Sequence, residues 1–388
     1  MAFDVEGPII NPSFDFAWLT LEELVKKSDK KELYDKVRIF DEYDDNRWLH
    51  ERGIMGHSTG ATPVISSLLS IASGARNEVQ LDLARKHLEF TPGAIRLFRW
   101  LKDEKQVQPY LVSAAHPAAI LPVAYKLEIA SSHVFCNGYQ LTEKKTQSFD
   151  GKRQAKGINA DQILLEEIHE RFPYDDYSGS ETLLKFLDNY LDVCGEMNKF
   201  YTATKVDEHA LGSLKGKQEQ LLGEVEGKDK KLAEDLWYLL YSEVGLMGAH
   251  RKKLALMEIE RRENVQKDSL IYTGDGMVDA DPLAYAGHGV SVNCTSREAL
   301  LSSKINIATP TIASIVHLIE FVTSGKTLTF ESKDVLQREM NVESSTEETV
   351  PRTKVFTQKE IHKNIDVVTQ ANRQCKDYVK KAKPNNTP

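Results

Sequence analysis

The sequence predicts an α/β protein, a Rossmann-like parallel sheet interrupted by helical insertions. Three observations carry this expectation. Short apolar runs in "FDVEGPII", "PYLVSAAHP" and "SLIYTGDGMVDAD" each end in small or acidic residues, as buried strands do where they open into loops at one sheet edge. The stretch "SLIYTGDGMVDADPLAYAGHGVSVNC" reads as strand, loop, helix and strand, the connection that parallel strands require. Between these runs lie long stretches whose apolar residues recur at spacings of three and four, the period of amphipathic helices.

Taken in order, the first strand ends at Asp4 and Glu6 and turns at Gly7-Pro8. From about residue 14, "WLTLEELVKKSDKKELYDKVRIFDEY" sets Leu21, Leu24, Val25, Leu33, Val37 and Phe40 as core-facing stripes. In "TPVISSLLSIASGA", Thr62 reads as an N-cap, Pro63 as the first helical residue and Gly74 as the stop. "TPGAIRLFRWLKDE" predicts a helix with Ile95, Phe98 and Leu101 on one face, followed by a strand that ends at Ser113. "SSHVFCNGYQLTEK" adds a short strand and an Asn-Gly turn. The lysine- and glutamate-rich helices of residues 144–248 present either a solvated face or a surface for a protein partner, and the pattern leaves both open. A helix with Leu256 and Ile259 inward precedes the strand "SLIYT", and "INIATPTIASIVHLIEFV" closes the sheet region as a buried strand and helix.

The implied organisation is a core of residues 1–12, 90–143 and 249–325, a helical cap of 13–89 and a helical insertion of 144–248. Residues 326–388 read as a polar extension with one helix and a disordered end.

Composition narrows the function classes. The 388 residues are 41% hydrophobic and 28% charged, enough for a substantial core. A net charge of -8 argues against broad affinity for nucleic acid. The late apolar stretch is broken by Asn306, Pro310, His317 and Glu320, so it falls short of the roughly 20 apolar residues of a membrane span. Asp4 and Glu6 interrupt any secretory apolar segment, and Cys136, Cys194, Cys294 and Cys375 lie far apart with no C-x-x-C pair. Reduced thiols and a cytoplasmic setting are therefore expected.

The chemistry is predicted at the sheet edge. Asp4 and Glu6 follow one strand, Ser113 a second, and Asp275 and Asp279 a third, while Lys252-Lys253 opens the helix before the third. Ligands of open α/β sheets bind beyond the carboxyl ends of the strands. Carboxylates gathered there repel one another unless a cation sits among them. Hard oxygen ligands of this kind suit Mg²⁺, which keeps several waters and binds phosphate. Leu256 and Ile259 follow Lys252 at four and seven positions on one helix face, which favours Lys252 over its neighbour Lys253 and leaves both open.

This constellation resembles the haloacid dehalogenase (HAD) superfamily of phosphohydrolases. Asp4 matches the nucleophilic aspartate, and Glu6 stands where the acid/base aspartate sits. Ser113 matches the motif-two hydroxyl, Lys252 the motif-three lysine, and Asp275 and Asp279 the Gly-Asp-x-x-x-Asp of motif four. The stretch "TPGAIRLFRWLKDEKQVQPYLVSAAH" is similar to phosphoserine-phosphatase-like members. Asp-x-Glu-Gly-Pro is similar to an archaeal branch known as subunit R of energy-converting hydrogenase A. The resemblance implies a Mg²⁺-dependent phosphatase of small phosphorylated metabolites, working through an aspartyl-phosphate on Asp4. Mg²⁺ would be held by Asp4, Asp275 and the backbone carbonyl of Glu6, with Asp279 behind it. It also implies an alternative, a catalytically weak binding or assembly protein on the same scaffold.

Overall fold

The computed structural model describes residues 1–13, 15–26, 30–52, 59–138, 160–242, 245–326, 330–342 and 350–382. The expected boundary at residue 144 lies outside them. Among the described residues, seven strands form one sheet: β1 (Ala2–Phe3), β2 (Tyr110–Val112), β3 (Val134–Phe135), β4 (Ile271–Gly274), β5 (His288–Val292), β6 (Ile305–Ala308) and β7 (Lys354–Thr357). Their order is β3-β2-β1-β4-β5-β6-β7. All neighbours are parallel except β6 and β7, which run antiparallel with Ile307 opposite Val355. The fold is thus Rossmann-like α/β, as the sequence predicts.

Alternation along the strands feeds two cores. Phe3, Leu111, Val134 and Ile271 face one side, where they meet Leu81, Leu97, Leu101, Ile120, Leu164 and Leu318 of the helices laid there. Ala2, Tyr110, Val112 and Tyr272 face the other, against Leu256, Ile259, Leu283, Leu300 and Val368. The sheet is covered on both faces, so even polar residues of β4, β5 and β6, Thr273, Ser291 and Asn306, are buried.

Chain order makes the middle of the sheet special. β1 pairs with β2 through Phe3 and Leu111, and with β4 through Phe3 and Thr273. The chain moves outward from β1 to β2 and β3, then returns to the opposite side of β1 for β4, β5 and β6. A crevice opens at such a switch point, at the carboxyl end of the central strands.

The two stretches expected as separate insertions share one apolar core. Val37, Phe40 and Leu68 from the first pack with Phe186, Leu187 and Leu236 from the second. Ion pairs from Lys36 to Asp188 (2.5 Å) and Asp192 (2.9 Å) flank the contact between helices Lys31–Glu51 and Glu181–Tyr201. Helix Asn77–His87, read within the cap, instead contributes Leu81 and Ala84 to the core of the sheet, as helix Ala160–Arg171 contributes Leu164 and Ile168.

Three further expectations are corrected. Thr62 is the first helical residue, not the cap, and its hydroxyl donates to Asp41 Oδ1 (2.8 Å). Ile95 is exposed and Leu97 takes the inward position, because Ala94, Leu97, Phe98 and Leu101 form the i, i+3, i+4, i+7 stripe of this helix and Ile95 lies off it. The C-terminal region is not a polar appendage among its described residues: it supplies β7, and helix Ile365–Lys381 buries Val368, Ala371, Cys375 and Val379. Few apolar residues, placed at helical spacing, suffice for that docking even in a polar stretch. All four cysteines are free and buried, and no helix among the described residues is long and apolar enough to cross a membrane.

Candidate active site

Asp4 leaves β1 with its N–H still donating to Thr273 O (2.8 Å), so the pairing with β4 fixes its backbone. The chain then turns tightly, with the N–H groups of Ile9 and Ile10 both donating to Val5 O (3.0 and 2.9 Å). Gly7 sits in this turn at φ +98°, and a Cβ there would lie 2.4 Å from both carboxylate oxygens of Asp275. Both the left-handed backbone and the close approach require glycine. The turn therefore brings the end of β1 directly against the carboxylate that follows β4.

Asp279 organises that second loop. Its Oδ2 accepts from the N–H groups of Asp275 (3.0 Å) and Gly276 (2.9 Å), and its Oδ1 accepts from Tyr272 Oη (2.6 Å) and Lys252 Nζ (2.7 Å). Burial alone would raise its pKa, but the Lys252 charge and these donors hold it below the ordinary value. Lys252 Nζ also donates to Asp4 Oδ1 (2.9 Å) and so bridges the loops after β1 and β4. Its side chain is 1% exposed. Burial opposes its charge, yet Asp279 and Asp4 raise its pKa above the ordinary lysine value. Lys253 points elsewhere, 6.0 Å over the Tyr285 ring.

The other carboxyls are pushed toward the neutral form. Burial, reinforced by the Asp279 charge, lifts Asp4 well above the usual carboxylate range, with Lys252 pulling the other way. Burial likewise raises Asp275, whose Oδ2 accepts from Lys376 Nζ (2.8 Å). Glu6 is raised to about 8 by burial and by the charge of Asp15, although its Oε1 accepts from Phe16 N (3.3 Å).

Oxygens of Asp4, Asp275 and Asp279 lie within 4.8 Å of one another. This set fits a hard divalent cation, with one qualification set by the bonding. Asp279 spends both oxygens on protein donors, whereas Asp4 and Asp275 each have one oxygen that no protein group occupies among the described residues. One or two carboxylate oxygens are what Mg²⁺ commonly takes from protein, the rest of its octahedron being water and phosphate. Asp279 is better described as the group that shapes the loop and neutralises Lys252.

Ser113 lies on the same edge, at the end of β2 next to β1. Its N–H donates to Phe135 O (2.9 Å) and its fully buried Oγ accepts from Ala115 N (3.0 Å). It makes no bond to the carboxylates. The helical body closes over this corner through Gly60, where a Cβ would meet Gly248 Cα at 3.3 Å and Ala114 Cβ at 3.4 Å. Asp44 Oδ2 holds that loop by accepting from Gly60 N (2.6 Å) and Ala61 N (2.9 Å). Gly248 opens the helix that carries Lys252, so one loop touches two of the elements that build the site.

The structure thus brings together Asp4, Lys252, Asp275 and Asp279, with Glu6 and Ser113 at their margins. No family model matches the chain, and no curated protein matches it. Among solved structures, it is similar to gene product AF1437 from Archaeoglobus fulgidus, at 17% identity with a TM-score of 0.59. The match covers 98% of this chain and 96% of that one. At this identity the likeness is one of fold, and it extends over helical body, sheet and C-terminal helix alike. Sequence reasoning missed Tyr272 and Lys376. Tyr272 carried a signal, since it is the polar-tipped residue of a buried strand two places before Gly274; Lys376 sits in a polar stretch with nothing to mark it.

Proposed function

We propose that the protein is a Mg²⁺-dependent phosphohydrolase of small phosphomonoesters, with Asp4 as nucleophile, as in the haloacid dehalogenase superfamily. The observation that carries this reading is Lys252 bridging Asp4 and Asp279 at the switch point of a parallel sheet, with Asp275 alongside. A bare cluster of carboxylates would need only a cation; a lysine buried among them supplies a donor for an anion as well. Lys252 has three N–H donors and uses two on Asp4 and Asp279, which leaves one for a phosphoryl oxygen.

A carboxylate oxygen of Asp4 attacks phosphorus in line, the bond from phosphorus to the leaving oxygen breaks, and an aspartyl-phosphate forms on Asp4. Glu6, protonated in its buried setting, gives its proton to the leaving oxygen. In the second half, Glu6 takes a proton from water as the water attacks phosphorus, which frees phosphate and restores Asp4. Ser113 and Lys252 donate to the phosphoryl oxygens throughout. A divalent ion held by Asp4, Asp275 and the Glu6 carbonyl would supply neutralisation of phosphoryl charge. The loop at Gly60 limits access to small substrates.

A second reading, a binding or assembly protein that retains the scaffold, has one specific observation in its favour: Lys376 already pairs with Asp275. Turnover of p-nitrophenyl phosphate and of a panel of metabolite phosphates, with Mg²⁺ and with EDTA, separates the two. Metal-dependent release of phosphate from any of them supports the hydrolase, and inertness toward all of them removes it.

A further inference from the structure

We propose that Lys376 is a resident counter-ion of the candidate metal site, which a divalent cation must displace from Asp275, so that the C-terminal helix sets the metal affinity. This rests on the metal-site reading of Asp4 and Asp275. Its starting point is a pairing across 101 residues of sequence, between the helix Ile365–Lys381 and the loop after β4. Lys376 Nζ stands 2.8 Å from Asp275 Oδ2, and no other donor reaches that carboxylate among the described residues. Gly7 backs the same group so closely that a methyl there would overlap both oxygens.

Charge counting gives the competition. Asp4, Asp275 and Asp279 are faced by two ammonium groups, Lys252 and Lys376. A divalent cation added to this set would leave an excess of positive charge in a poorly hydrated corner, and two cations on one carboxylate repel at short range. One ammonium has to leave. Lys252 is enclosed, with its side chain 1% exposed and held by two carboxylates. Lys376 has one carboxylate and a side chain 22% exposed, which gives it a way out.

The helix also offers Lys376 somewhere to go. Asn372 lies one turn earlier, four residues before Lys376 and so on the same face of the helix. It is fully buried, and neither its Oδ1 nor its Nδ2 has a partner among the described residues. Its Oδ1 is a second acceptor for the displaced ammonium. The helix itself need not move, because Val368, Ala371, Cys375 and Val379 anchor it and Asn11 Nδ2 donates to Val379 O (3.4 Å). The exchange is a swing of one side chain.

The test is Mn²⁺ binding to the full-length protein, followed by the loss of the free-ion electron paramagnetic resonance signal, with Mg²⁺ as competitor. Lys376→Met is expected to bind Mn²⁺ roughly tenfold or more tightly than wild type, and Lys376→Arg to stay within about threefold of it. If Lys376→Met does not fold, Lys376→Gln carries the same expectation. Adding Asp275→Asn to the neutral variant should abolish the gain. Equal or weaker binding by the neutral variants overturns the competition and leaves the metal site standing. Absence of Mn²⁺ binding in wild type and neutral variants alike removes the metal site and this inference together.

Discussion

Glu6 is the group whose protonation the fold changes most usefully. Burial and Asp15 raise it from 4.5 to about 8, so the folded protein holds a proton there that the unfolded chain loses in between. The sign follows: this contribution to stability is full below about pH 4.5 and is lost as pH rises through about 8. Wild type should therefore lose melting temperature between about pH 6 and about pH 9 more steeply than Glu6→Gln, as scanning calorimetry would register. Parallel curves for the two proteins would mean that Glu6 is not protonated in the native state. The same proton makes Glu6 a competent acid near neutrality, so Glu6→Gln should slow poor leaving groups more than activated esters, while Glu6→Asp keeps both. Asp4 gives a second test at this scale. It is buried, and its charge is disfavoured by burial and by Asp279. Asp4→Asn keeps an oxygen for Lys252 and removes that charge, so the proposed phosphatase activity should vanish while the melting temperature holds or rises. A variant that still turns over fully would take the nucleophile role away from Asp4, and one that melts far lower would refute the electrostatic account.

Among the elements, the turn after β1 decides whether the site exists. Gly7→Ala would need a left-handed backbone at φ +98° and would place a methyl 2.4 Å from the Asp275 oxygens. The first effect alone costs about 1 kcal/mol, and the clash adds to it, so a loss of roughly 2–4 kcal/mol is expected. Thermal melts should fall by several degrees, and Mn²⁺ binding should weaken because Asp275 is pushed out of register; a variant with wild-type melting and binding would show that the turn has slack. The sequence made part of this legible. Gly7-Pro8 reads as a turn and Gly-Asp-x-x-x-Asp reads as a loop, because both depend on local backbone geometry. That Gly7 lies against Asp275 depends on β1 and β4 being neighbours, which local spacing does not encode, whereas the bond from Tyr272 Oη to Asp279 stays within β4 and the loop that follows it. Ile95 is a miss of a different kind: it shares a spacing of three with Phe98, but Ala94, Leu97, Phe98 and Leu101 complete the i, i+3, i+4, i+7 stripe that the core takes.

For the whole molecule, the strands buried on both faces were readable because apolar residues dominate them, with single buried polar residues, Thr273, Ser291 and Asn306, set into β4, β5 and β6. β7 was not readable. It is an edge strand with an exposed Lys354 and a half-buried Phe356, in a stretch whose average composition is polar. Helix Ile365–Lys381 hides its meaning similarly, since five buried positions at helical spacing, including Asn372, are diluted among charged residues. Whether this region is appendage or structure is open to direct measurement by ending the chain at Asn364. Removing the helix strips cover from Ala308, Phe356 and Ile361 and deletes the Lys376 pair with Asp275. Buried aliphatic side chains contribute about 1.5–3 kcal/mol each, so the loss of Val368, Val379 and their smaller neighbours amounts to roughly 5–8 kcal/mol. Net stability of a folded protein is itself only about 5–15 kcal/mol. The shortened chain should therefore lose its cooperative melt, or melt far below wild type and bind a dye for exposed apolar surface at ambient temperature. An appendage would instead leave the melt where it was, since nothing in the sheet would have depended on it.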